Sequence, residues 1–74
     1  MKHHETVAIA KAIEFIGIAQ NNSAYENALD AAALKLQFVM DCDESDDARQ
    51  IAAALVYAFG LMPRIQALRD EAAA

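Results

Sequence analysis

Residues 41–63, DCDESDDARQIAAALVYAFGLMP, decide the fold of this chain. An acidic run is followed by an apolar segment of helical periodicity and then by a glycine and a proline. Carboxylates favour the first turn of a helix, whereas glycine and proline interrupt one. The run therefore predicts a helix start with Asp43 or Ser45 as N-cap, and a break over residues 60–62. A short last helix is expected over residues 63–72, with the proline in its first position.

Two further helices are predicted upstream of the acidic run. The first spans residues 5–20, and its apolar stripe repeats at spacings of three and four: Ile9, Ala12, Ile13, Ile16 and Ala19. Gly17 weakens this helix unless it permits a close helix crossing. The second helix begins at Ser23-Ala24-Tyr25-Glu26, which fits the capping box. Its seam is heptad-like: Tyr25, Leu29, Ala32, Leu36 and Val39.

The third helix carries the most apolar periodic segment of the chain. Its core face is expected to consist of the larger side chains at helical spacing, together with one alanine: Ile51, Leu55, Ala58, Phe59 and Met62. We therefore predict an all-α fold in one domain, residues 1–74, with three main helices and a short C-terminal helix after the Gly/Pro break. A short connection makes neighbouring helices antiparallel, so the second and third form a helical hairpin core that the first helix crosses.

The size of the chain indicates association. It has 74 residues, 57% of them hydrophobic, and a core of this size alone rarely supplies more than about 3–5 kcal/mol. A single cysteine excludes an intramolecular disulfide. Apolar residues also occur away from the predicted core stripes, and these are expected to meet a second copy or another protein: Val7, Phe15, Ile18, Leu34, Phe38, Tyr57 and Leu61. A two-fold homodimer is the expected assembly.

No catalytic, cofactor-binding or metal-binding residue is predicted. Alternate residues of the acidic run match a calcium loop, but Asp46 replaces its glycine and Ala52 its bidentate glutamate. Cys42 lies between two aspartates, which raise a thiol pKa, and no histidine follows His4 to act as a base. The chain is therefore expected not to be an enzyme.

The charge balance argues against direct binding of nucleic acid. The chain has six Lys and Arg residues and eleven Asp and Glu residues, for a net charge of −5. The basic residues are scattered along the sequence rather than gathered in a stripe. The opposite role remains open, in which an acidic patch imitates the phosphate backbone, as in small phage inhibitors of restriction or CRISPR systems. The residues of that patch are Asp41, Asp43, Glu44, Asp46 and Asp47.

Neither of the two apolar runs, residues 7–19 and 51–62, reaches the roughly 20 uninterrupted apolar residues of a membrane span, and no signal peptide is recognisable. A cytoplasmic location without a membrane partner is the expectation. The leading functional hypothesis is a small bacterial or phage interaction module, a helical homodimer that binds and modulates another protein. The alternative is the acidic inhibitor that occupies the nucleic-acid site of a host protein.

Overall fold

The computed structural model describes residues 1–21, 26–42 and 44–73, and within them the chain forms helices and no strand. The predicted all-α fold class is confirmed. The helices are α1 (His3–Asn21), α2 (Glu26–Cys42), α3 (Asp46–Ala58) and α4 (Met62–Ala73).

A buried glutamate organises the start of α1. The Oε1 atom of Glu5 accepts a hydrogen bond from the Lys2 amide at 2.7 Å, which satisfies one of the unpaired N–H groups at the helix start. This is the glutamate half of a capping box without the serine half. The Glu5 side chain is completely buried, although it lies only five residues into the chain.

The start of α3 is confirmed at the serine of the acidic run. Ser45 is the N-cap with extended backbone, φ −77° and ψ 115°, but its hydroxyl caps no amide. Instead, Oδ1 of Asp47 accepts a hydrogen bond from the Ala48 amide at 2.8 Å. The alternative N-cap Asp43 and the predicted capping-box residue Ser23 lie outside the described residues.

The predicted break between α3 and α4 is confirmed, and a Schellman motif produces it. Gly60 has a positive φ of 64°, and its amide donates to the Tyr57 carbonyl at 3.4 Å. The Leu61 amide donates to the Val56 carbonyl at 2.9 Å, the six-residue closure of that motif. The chain turns by 118° from α3 to α4. Pro63 is the second residue of α4 rather than its first.

Helix α2 is the centre of the molecule, because it packs against all three other helices. His4 and Ala8 from the first half of α1 share a groove with Leu34 and Phe38 from the second half of α2, so these two helices run antiparallel. The α1–α2 pair makes the most extensive helix contact. The expected α2–α3 packing is present, but it is less extensive than the packing of α1 on α2.

Ion pairs join α4 to α2 at two levels. Arg64 Nε lies 3.0 Å from Oδ1 of Asp30, and further along both helices the Arg69 guanidinium donates to both carboxylate oxygens of Asp41 at 2.9 and 2.8 Å. The order of these contacts shows that α4 runs in the same direction as α2.

Small side chains allow the helices to approach closely. The buried residues include five alanines of α1, α2 and α3: Ala12, Ala32, Ala33, Ala48 and Ala52. The core face of α3 consists of Ala48, Ala52 and Val56, so the predicted face of larger side chains is partly wrong. Ile51 and Phe59 are exposed, and Ile13 of α1 is exposed as well.

Candidate protein-interaction surface

Four exposed apolar side chains lie on the outer sides of α1 and α2. In α2, Leu34 and Phe38 are 53% and 55% exposed and are one helical turn apart. In α1, Val7 and Ile18 are also exposed, and their spacing of eleven residues places them on one side of the helix. All four were predicted to meet a partner. We call the surface formed by Leu34 and Phe38 of α2 with Ala8 of α1 the α1–α2 face.

The α1–α2 face contains a groove of about 410 Å³. Ala8 of α1 lines it together with Leu34 and Phe38 of α2, and the charged or titratable residues that line it are His4 and Lys35. The methyl side chain of Ala8 leaves room that a larger residue would fill. The described lining is therefore mainly apolar, and its polar side chains are those of His4 and Lys35.

Lys35 differs from most cations of the chain. Lys11 pairs with Glu14 at 3.4 Å, and Arg64 and Arg69 pair with carboxylates of α2. Lys35 makes no ion pair or side-chain hydrogen bond with any residue that the structure describes. Its charge is consequently available to a group outside the chain.

Three further exposed apolar residues lie in α3 and at the residue that ends it. Tyr57 is 74% exposed, and Ile51 and Phe59 are also exposed. Residues 50–63 contain no charged side chain. We call this set the α3 patch. The sequence predicted Tyr57 and Leu61 as surface residues of this segment, whereas Ile51 and Phe59 follow the spacing of a core face.

Of the residues predicted as interface, one belongs to the interior and another is partly covered. Leu61 is completely buried, because the Schellman turn directs the residue after Gly60 back towards Val56 and the core. It is therefore removed from the candidate surface. Phe15 is half-buried and packs against the core cluster. The glycine at the helix end was the sequence signal for a buried Leu61.

The acidic patch is largely engaged by cations of the chain itself. Arg69 binds Asp41, Arg49 binds Asp46, and the N-terminal ammonium lies 3.1 Å from Oδ2 of Asp47. Glu44 is exposed, and Asp43 lies outside the described residues.

These contacts change the titration of two carboxyls in the patch. The hydrogen bond from Arg69 holds the pKa of Asp41 below its ordinary value, and the hydrogen bond from the N-terminal ammonium does the same for the pKa of Asp47. Both side chains therefore remain ionised, but their charge is already partly balanced.

Chemistry-bearing side chains are not gathered elsewhere in the described part of the chain. No three His, Cys, Asp or Glu residues are placed to hold a metal ion there. Cys42 is a free, exposed thiol one turn beyond Phe38. Within the described ranges no single helix is both long and apolar enough to cross a membrane, and α3 and α4 reach that length and composition only as a bent pair.

Comparison with known proteins gives no relative for this surface: no protein-family model, no curated protein and no solved structure matches the chain.

Proposed function

We propose that the chain is a non-enzymatic protein–protein interaction module, a helical homodimer that binds and modulates another protein. The observation that carries this proposal is the groove of the α1–α2 face, where Leu34 and Phe38 are more than half exposed. Apolar side chains grouped around a groove on a small chain are typical of a binding surface.

Two separate apolar surfaces support two kinds of contact. In a two-fold dimer the same patch meets itself, so an uncharged patch associates without bringing like charges together. The residues of the α3 patch belong to the segment 50–63, which has no charged side chain, and we assign the second copy to this patch. The α1–α2 face, where Lys35 makes no ion pair with a described residue, is then left for the other protein.

Paired substitutions test this assignment. Tyr57→Glu places a charge in the α3 patch and should dissociate the dimer in sedimentation velocity. Phe38→Glu makes the same change of an exposed aromatic residue in the groove and should leave the dimer intact. Both variants should retain the helical circular dichroism of the parent, because neither side chain belongs to the buried core.

Partner capture completes the test. The tagged parent and Tyr57→Glu should recover the same protein from host lysate, and Phe38→Glu should not. The proposed function would be refuted by two results together. The parent protein would have to be monomeric, and it would have to capture no protein that Phe38→Glu fails to capture. If Phe38→Glu dissociates the dimer, the groove, rather than the α3 patch, is the surface that contacts the second copy.

The acidic inhibitor is the weaker alternative. Its contact surface would be the acidic patch, yet Asp41, Asp46 and Asp47 are each bound by a cation of the chain. Neutralising Glu44, Asp46 and Asp47 together discriminates the two functions. If partner binding survives this neutralisation, the acidic inhibitor is excluded. If the neutralised variant loses partner binding while Phe38→Glu still binds the partner, the acidic inhibitor is favoured.

A further inference from the structure

We infer that the groove between α1 and α2 takes an acidic amphipathic helix of the partner protein. This inference rests on the proposed function, because it names the chemistry of the partner at the same surface. The three observations that carry it are the shape of the groove, its apolar lining and the sign of the charge at its rim.

The shape of the groove favours a helix. It lies between two antiparallel helices, and a third helix can place one row of side chains between them. Leu34 and Phe38, one turn apart on α2, provide contacts that match apolar residues at i, i+3 and i+4 of a ligand helix. An extended strand would find no free sheet edge, since the described residues form no strand.

The charge of the groove favours acidic residues beside that apolar row. The chain as a whole carries −5, but among the residues that the structure describes, the titratable ones lining the groove are His4 and Lys35 rather than carboxylates. Lys35 has no acidic partner in the described part of the chain, whereas Lys11 on the same helix pair has Glu14. A carboxylate of the ligand helix would pair with Lys35, and a basic helix would meet it with like charge.

Two synthetic peptides of about 20 residues, long enough to form a helix, test the inference. Both carry Leu and Phe at the same amphipathic spacing, one with Glu and the other with Lys at the flanking positions. Calorimetry should show that the acidic peptide binds about two- to fivefold more tightly, the range of a rim ion pair. This preference should shrink in about 1 M salt, where the Debye length falls to about 3 Å.

Nuclear magnetic resonance of the 15N-labelled chain locates the contact. Addition of the acidic peptide should shift the amide signals of Ala8, Leu34 and Phe38 and leave those of the α3 patch unchanged. Lys35→Glu should reverse the preference between the peptides. Arg49→Glu, which makes the same change of charge on α3, should leave the preference intact, so it controls for net charge.

Each other outcome overturns the inference. Equal binding of the two peptides, or a preference that Lys35→Glu does not alter, would show that charge does not select the ligand. Absence of binding at about 1 mM of either peptide would show that the groove takes no helix of this kind. If the amide signals of the groove shift when the chain self-associates and do not shift when a peptide is added, the groove binds a second copy of the chain. The proposed function is judged separately, by the effect of Phe38→Glu on partner capture.

Discussion

Two apolar residues that look alike in the sequence should respond very differently to truncation. Leu61 is completely buried, and Leu→Ala at such a site typically costs about 2–5 kcal/mol. A core of this size supplies only about 3–5 kcal/mol, so Leu61→Ala should remove most of the free energy of unfolding. Phe38 is 55% exposed, and Phe38→Ala should cost about 1 kcal/mol, since more than half of the residue is already in contact with water.

Urea denaturation followed by circular dichroism measures both changes. With an m-value of about 1 kcal/mol/M, Leu61→Ala should lower the midpoint by about 2 M or leave the chain unfolded without urea. Phe38→Ala should shift the midpoint by about 1 M at most. Dissociation also changes the midpoint, so the comparison is made at several protein concentrations. Equal losses for the two variants would refute the separation of core from surface.

Three further predictions follow from local geometry. Gly60→Ala should lower the free energy of unfolding by about 1–2 kcal/mol, because φ is 64° at this position. Gly17→Ala should raise it by about 0.5–1 kcal/mol, because Gly17 lies in a helix interior where an added Cβ meets nothing within 4 Å. Thermal unfolding measures both changes. The pKa of Asp41 is lowered by Arg69, so this ion pair stabilises the fold above the ordinary aspartate pKa and ceases to do so as pH falls through the lowered value; Asp41→Asn should flatten that part of the stability–pH curve and cost about 0.2–1 kcal/mol at neutral pH. Cys42 is exposed and should react with a disulfide reagent in native buffer at the rate of the unfolded chain, and a much slower reaction would show that an assembly covers it.

The helices and their ends were predictable because their signals act over a few residues. Periodic apolar residues predicted four helical segments, and the acidic run predicted the start of α3 at Asp43 or Ser45, of which Ser45 is the observed N-cap. Gly60 and Pro63 predicted the break before α4. Capping, propensity and the conformational freedom of glycine operate within one or two helical turns, so the local sequence contains the whole cause.

The choice of the buried side of α3 was not predictable in the same way. Ile51 and Ala52 are neighbours in sequence, yet Ala52 is buried and Ile51 is exposed. The larger side chain buries more area, but the smaller one allows α2 and α3 to approach closely. Which effect prevails depends on the distance between helices, and that distance is a property of the packed molecule.

Some features of the candidate surface were predictable from the sequence, and others depended on the packing of the helices. The sequence by itself determined that a chain of 74 residues, 57% of them hydrophobic and with one cysteine, carries more apolar helical surface than its predicted core stripes use. Only the tertiary structure decided that Phe38 lines a groove and that Leu61 lies in the core. It also placed Lys35 at that groove, with no acidic partner in the described part of the chain. Amphipathic periodicity records which side chains share one side of a helix, whereas burial and pairing depend on residues that are distant in the chain and meet only after the helices pack.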